Sequence, residues 1–122
     1  KKYLQIFGND WPTHDGTVIR DFIHIMDLAD GHISAMNFLE RAEPQFLKIN
    51  LGTGIKTSIL ELVSAFEIVN KVKIPYKFCN KRLGDTPFLL ANVNLAKEIL
   101  HWQSKRSVID MCRDGWNYAK SS

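Results

Sequence analysis

Short apolar runs alternate along the chain with segments in which apolar positions recur every three or four residues. The short runs are rich in β-branched and aromatic residues and are predicted to be strands or extended segments: 4–7, 18–25, 46–51 and 74–79. The periodic segments are predicted to be helices: 27–41, 58–69, 92–100 and 107–118. Because strands and helices alternate, the fold class is predicted to be α/β. Pro75 favours an edge position for the last strand.

Polar residues at the starts of these segments fit helix caps. Asp27 and Asn92 are predicted to be N-caps. Glu61 follows Ser58 by three residues and predicts a capping box, and the pair Ser107 and Asp110 marks the last helix in the same way. The first helix is predicted to have one apolar face made by Leu28, Ala29, His32, Ile33, Ala35, Met36 and Leu39.

Composition narrows the possible functions. A chain of 122 residues with 45% apolar and 24% charged residues has the size and balance of one soluble globular domain. No apolar run approaches the ~18 residues of a membrane span, and the start has no signal-peptide core. A net charge of +3 without a dense basic stripe argues against nucleic-acid binding. Cys79 and Cys112 are expected to be buried free thiols, and the histidine spacing predicts no metal site.

Several residues could carry chemistry, each with a simpler structural interpretation beside it. The Gly52-x-Gly54 turn lacks the further glycine of a dinucleotide fingerprint and is interpreted as a plain turn before a helix. Arg20 lies in an apolar run and is either an exposed edge residue or a fork for a carboxylate or phosphate. Arg82 and Asp85 lie on a Gly/Pro loop, where functional residues concentrate.

His24 could form a relay with a nearby acid, but a structural role near the helix start is the favoured interpretation. Composition and spacing therefore predict an α/β domain with a possible anion site. They predict nothing more specific.

Residues 6–32 closely resemble the UDP-glucose 4-epimerases. That family carries F-G-x-x-[YW]-x-T-x-D-G-T followed by R-D-[YF]-I-H-V-x-D-L-A-x-G-H, and this chain has the two motifs at 7–17 and 20–32, with Ile25 in the valine position. The resemblance continues through 50–54, the helix opened by Ser58, and the Arg82-x-Gly84-Asp85-x-Pro87 loop.

The resemblance implies an extended short-chain dehydrogenase/reductase, in which a Rossmann domain binds NAD and a smaller domain binds the nucleotide sugar. It implies interconversion of UDP-glucose and UDP-galactose through a 4-keto intermediate, in a cytoplasmic enzyme that is a homodimer when full length. This chain lacks the family's Y-x-x-x-K motif and its glycine-rich NAD fingerprint. Residues 1–122 are therefore expected to be the C-terminal nucleotide-sugar-binding region, a small mixed sheet with helices, inactive alone. Residues 27–52 are expected to pack on a Rossmann domain that this chain does not contain.

The resemblance also assigns candidate substrate-binding residues: Leu4, Gln5, Phe7, Arg20, Phe22, Ile59, Arg82, Asp85 and Leu89. Among them, Arg20 and Arg82 would hold the pyrophosphate and Asp85 a ribose hydroxyl. Phe22 replaces a common Tyr, and Lys81 stands where a second Arg often precedes Arg82. The size of Leu89 is expected to affect tolerance for N-acetylated sugars.

Two alternatives stay open. The chain could belong to another extended short-chain nucleotide-sugar epimerase or dehydratase, although the segment 11–17 argues against this. It could also be a stand-alone nucleotide-sugar binding module without a catalytic part.

Overall fold

The structure is a computed structural model that describes residues 3–45 and 48–121. Its elements follow one another in this order: β1 (Leu4–Phe7), β2 (Ile19–Arg20), α1 (Ile25–Arg41), β3 (Thr57–Ser58), α2 (Ile59–Asn70), β4 (Tyr76–Cys79), β5 (Phe88–Leu89), one π-helical turn (Ala96–Leu100) and α3 (Val108–Ser121). The predicted α/β class is confirmed.

The strands form two small sheets. In the first, β1 and β4 run parallel, with Leu4 opposite Tyr76 and Phe7 opposite Cys79. The second has the order β3-β2-β5 and is mixed, because β2 is antiparallel to β3 and parallel to β5. In a two-stranded sheet both strands are edges, so the edge position that Pro75 predicted for β4 is confirmed.

A half-buried carboxylate joins the loop after β1 to the start of α2. Asp15 accepts hydrogen bonds from the backbone N–H and hydroxyl of Thr17 and from the hydroxyl of Ser58. Burial raises the pKa of the Asp15 carboxyl, but these bonds outweigh it and bring the pKa below its ordinary value. The loop closes tightly at Gly16, where φ is +84° and a Cβ would collide with the Asn9 carbonyl.

The predicted capping box of α2 is confirmed. The Ser58 hydroxyl accepts from the Glu61 N–H, and the Glu61 carboxylate accepts from the Ser58 N–H. The same reciprocal pair, Ser107 with Asp110, opens α3. Helices α2 and α3 pack together.

The start of α1 differs from the prediction. The helix begins two residues earlier than expected, and its N-cap is His24, whose Nδ1 accepts from the Met26 N–H. Asp27 is not the cap, because its carboxylate is turned to a distant segment. It accepts from the N–H groups of Lys105 and Arg106 and from the Arg106 guanidinium, and it is 1% exposed.

The predicted apolar face of α1 is only partly packed. Asp27, Gly31, Ala35 and Phe38 face the protein, and Gly31 approaches Leu51 so closely that a Cβ would lie 2.8 Å from its Cδ1. Leu28 is half-buried, whereas Ile33, Met36 and Leu39 are each more than half exposed.

Two predicted extended segments are shorter than expected. In the run 18–25 only Ile19 and Arg20 find strand partners, because the chain then turns into α1. In the run 46–51, residues 46 and 47 lie outside the described residues, and residues 48–51 join no strand. A strand requires a hydrogen-bonded neighbour, and the described part of the chain supplies none there.

Cys79 and Cys112 are free, as predicted. Cys112 is buried, which raises its thiol pKa, whereas Cys79 is half-buried. Within the described ranges no helix has the length and apolarity needed to cross a bilayer.

We expect Ser58→Ala to lower the free energy of unfolding by about 1–2 kcal/mol, because it removes the N-cap of α2 and a partner of Asp15. Urea denaturation followed by far-UV circular dichroism measures this loss. Ser64→Ala, at an exposed position of the same helix, is the matched control and should cost less than 0.5 kcal/mol. Equal losses in the two variants would contradict the assigned role of Ser58.

Candidate functional site

A cavity of about 180 Å³ lies beside the last three residues of β1 and the loop that follows β4. The carboxyl ends of parallel strands are a usual place for ligand sites, because loops from neighbouring strands converge there. The cavity is lined by Gln5, Ile6, Phe7, Val18, Ile59, Arg82 and Asp85. It therefore brings together five of the nine predicted substrate-binding residues: Gln5, Phe7, Ile59, Arg82 and Asp85.

Arg82 is held by two different contacts. Its Nε donates to Asp85 Oδ2 at 3.0 Å, and its guanidinium carbon lies 4.4 Å from the centre of the Phe7 ring. The side chain of Arg82 is 58% exposed, whereas that of Asp85 is 19% exposed. An arginine oriented on one side by a carboxylate and an aromatic ring can offer its other N–H groups to an anionic ligand.

Arg20 approaches the same loop from β2. Its Nη1 donates to the carbonyl oxygens of Ile19 and Thr86, at 2.9 and 3.0 Å. Its neighbour on β5 is Leu89. Both arginines therefore contact the segment 85–86, although Arg20 does not line the cavity itself.

The remaining predicted residues lie outside the cavity lining. Leu4 begins β1 and is 43% exposed, Phe22 follows β2 and is half-buried, and Leu89 is 56% exposed on β5. Sequence reasoning missed Ile6 and Val18, which line the cavity. Both are buried apolar residues in predicted strands, and nothing in a strand pattern distinguishes a core position from a cavity wall.

The backbone N–H groups of the Gly52-x-Gly54 turn bind a carboxylate of the same chain. Asp21 accepts from the N–H groups of Thr53 and Gly54, at 2.9 and 2.7 Å, and from the Thr53 hydroxyl. A Cβ at Gly52 would lie 2.8 Å from Asp21 Oδ2. The N–H groups that could bind a phosphate are thus already used by the protein, which supports the interpretation of a plain turn.

His24 is a structural residue in these contacts. Its Nδ1 accepts from the Met26 N–H, so the proton of the neutral ring lies on Nε2, which donates to Asp114 Oδ2 at 2.8 Å. The hydrogen bond from His24 is the main cause that holds the pKa of the Asp114 carboxyl below its ordinary value. The pair joins the start of α1 to α3. Among the described residues no cluster of His, Cys, Asp and Glu could hold a metal ion.

Comparison with known proteins gives a specific result. No family model matches the chain. A bifunctional UDP-glucose 4-epimerase and UDP-xylose 4-epimerase of Arabidopsis thaliana is 47% identical over 120 residues, which is 98% of this chain and 34% of that protein.

Solved structures agree with this match. The UDP-glucose 4-epimerase of Stenotrophomonas maltophila, with bound NAD and formylated UDP-arabinopyranose, has a TM-score of 0.92 and 41% identity, over 98% of this chain and 35% of that one. The enzyme of Bifidobacterium longum, in complex with NAD+ and UDP, has a TM-score of 0.94 and 33% identity, over 100% and 36%.

The chain is therefore similar, in sequence and in fold, to the C-terminal part of nucleotide-sugar epimerases of the extended short-chain dehydrogenase/reductase class. Within that class it is a homologue of the UDP-glucose 4-epimerases. It spans about a third of the length of the relatives it matches.

Proposed function

We propose that this chain is the nucleotide-binding part of an enzyme that interconverts UDP-glucose and UDP-galactose. The observation that carries the proposal is the cavity beside β1 and the loop after β4, where Arg82 lies between Asp85 and the Phe7 ring. Its relatives include structures with bound UDP and with a UDP-sugar, which supports a nucleoside diphosphate as the ligand.

The cavity would bind the nucleotide through two kinds of groups, charged side chains and apolar surface. Arg82 and Arg20 supply N–H donors for the two phosphates, and such charge-assisted bonds are the strong ones. Asp85 orients Arg82 and can accept from a ribose hydroxyl. Phe7 and Ile59 offer apolar surface. Binding of this remote nucleotide would hold the sugar at the reacting centre, so that its free energy contributes to catalysis without contact at the reacting carbon.

The residues of this chain do not fit an NAD cradle. The glycine turn before α2 already binds the Asp21 carboxylate, and the Y-x-x-x-K motif is not in the sequence. We therefore place NAD and the catalytic tyrosine in the part of the enzyme outside this chain. The chain alone is expected to be inactive.

Another extended short-chain epimerase or dehydratase is the nearest alternative, and a stand-alone binding module is the alternative from another class. The 47% identity to a bifunctional UDP-glucose 4-epimerase and UDP-xylose 4-epimerase favours our proposal over the first. We further propose that the whole protein is a cytoplasmic homodimer. Sedimentation velocity of the whole protein at the monomer mass would overturn the dimer, and recovery in the membrane pellet after cell fractionation would overturn the location.

We expect the 122-residue chain to bind UDP, and Arg82→Ala and Arg20→Ala each to weaken that binding about tenfold or more, because each removes charged hydrogen bonds. Isothermal titration calorimetry measures the dissociation constants. Arg41→Ala is the control, because Arg41 lies at the end of α1 and bonds the Asn37 carbonyl, and it should bind UDP like the unchanged chain. Failure of the folded, unchanged chain to bind, or equal binding by all variants, would refute the site.

We propose that residues 27–52 pack on the NAD-binding part, which would cover the outward apolar residues of α1. The isolated chain should then self-associate, because an uncovered apolar patch favours association. Sedimentation velocity should show a lower mass for the double variant Met36→Lys, Leu39→Glu than for the unchanged chain. Glu40→Lys, at an exposed polar position, should not change the mass. A monomeric chain that melts cooperatively would count against this proposal.

We propose that Leu89 sets the room beside C2 of the sugar. In the whole enzyme, Leu89→Tyr should lower the rate with UDP-N-acetylglucosamine relative to UDP-glucose by about tenfold or more, because a larger side chain excludes the acetamido group. Steady-state rates with both sugars give the ratio. Leu95→Tyr, on a different segment, is the control, and an unchanged ratio in Leu89→Tyr would reject the idea.

A further inference from the structure

Lys81 directly precedes Arg82, yet its ammonium group makes contacts away from the cavity. Lys81 Nζ lies 4.3 Å from the centre of the Trp11 ring and 3.2 Å from Asp10 Oδ1. Lys81 lines a separate, polar cavity with Gly8, Asn9, Asp10, Cys79 and Asn80. The cation is therefore paired with a ring and an anion in the loop after β1, and it does not line the cavity that contains Arg82.

Trp11 in turn contacts Phe7, whose ring lies against the Arg82 guanidinium. Its Nε1 donates to the Phe7 carbonyl at 3.0 Å. The packing leaves no room at Gly8, where φ is +100° and a Cβ would collide with Trp11 Nε1 and lie 2.8 Å from Lys81 Cγ. The backbone bond from Gly8 N–H to the Cys79 carbonyl, 2.8 Å, continues the pairing of β1 and β4 into this contact.

We propose that Asp10, Trp11 and Lys81, the Lys81 clamp, position the Arg82–Phe7 pair for its ligand. Lys81 and Arg82 are adjacent, and each lies over an aromatic ring. Lys81 lies over Trp11, in the loop after β1, and Arg82 lies over Phe7, the last residue of β1. The indole bonds the backbone of Phe7, so the clamp fixes both members of the pair. The effect on nucleotide binding rests on the proposed function, whereas the effect on the pair itself does not.

A positioned arginine matters here because Arg82 is 58% exposed. A long side chain in solvent samples many rotamers, and ordering it on ligand binding costs free energy. If the clamp holds the backbone at residues 81 and 82 against β1, part of that ordering is complete before the ligand arrives. Lys81 is then a positioning residue that acts through Arg82, without contact to the nucleotide.

The first measurement needs no ligand. Side-chain protons of Arg82 should show upfield NMR shifts from the Phe7 ring, and Lys81→Met should move these shifts toward their values in Phe7→Leu. Lys81→Arg should keep them, because a guanidinium also binds an aromatic face. Lys73→Met, at an exposed lysine outside the clamp, should leave them unchanged.

The second measurement is a double-mutant cycle with UDP in the 122-residue chain. Lys81→Met should weaken binding about threefold to fivefold, the size expected for one exposed cation–π contact. In an Arg82→Ala background the same change should have no further effect, because Lys81 acts through Arg82. Melting curves recorded for every variant establish that each is folded at the titration temperature.

Each outcome separates the two proposals. Unchanged Arg82 shifts in Lys81→Met would overturn the clamp, even if Arg82→Ala weakens UDP binding as expected. Independent, additive effects of the two changes on UDP binding would also overturn it, because they indicate direct contact between Lys81 and the nucleotide. Shifts that depend on Lys81 in a chain that binds no UDP would support the clamp and refute the proposed function.

Discussion

The hydrogen bonds to the Asp15 carboxylate are the interactions on which the candidate site depends most. It accepts hydrogen bonds from Thr17 and Ser58, whose side chains are fully buried and would be costly to leave unpaired. Ser58 also caps α2, so the bond fixes the loop after β1 against the first turn of that helix. Phe7 and Ile59 thereby become two walls of one cavity, although 52 positions separate them in the chain (59 − 7).

Two other carboxylates act in the same way within the next few residues of the chain. Asp21 binds the N–H groups of residues 53 and 54, and Asp27 binds those of residues 105 and 106. Each joins the segment 15–27 to a part of the chain that is distant in sequence. The two sheets are small, and these charged hydrogen bonds to backbone supply long-range connections that strand pairing alone does not.

The proposed function assigns nucleotide binding to this chain and the chemistry to the part of the enzyme outside it. The chain's cavity carries cationic, acidic and aromatic groups, and its sequence matches a third of the length of the epimerases it resembles. The outward apolar residues of α1 fit a chain whose helix has a further neighbour in the whole enzyme. An enzyme built in this way can use free energy from nucleotide binding to hold a sugar at a distant reacting centre.

Local patterns in the sequence determined the helix starts at Ser58 and Ser107, because a capping box needs only residues three positions apart. The motifs at 7–17 and 20–32 indicated the similarity to the UDP-glucose 4-epimerases, and five of the nine residues assigned by resemblance line one cavity. Tertiary structure alone decided that His24 caps α1 while Asp27 binds Arg106. It also decided that β2 pairs with β5 and that Lys81 contacts Trp11. Each of these choices depends on partners at least 69 residues away or on a competing neighbour, and a local pattern contains no information about which distant group will be near.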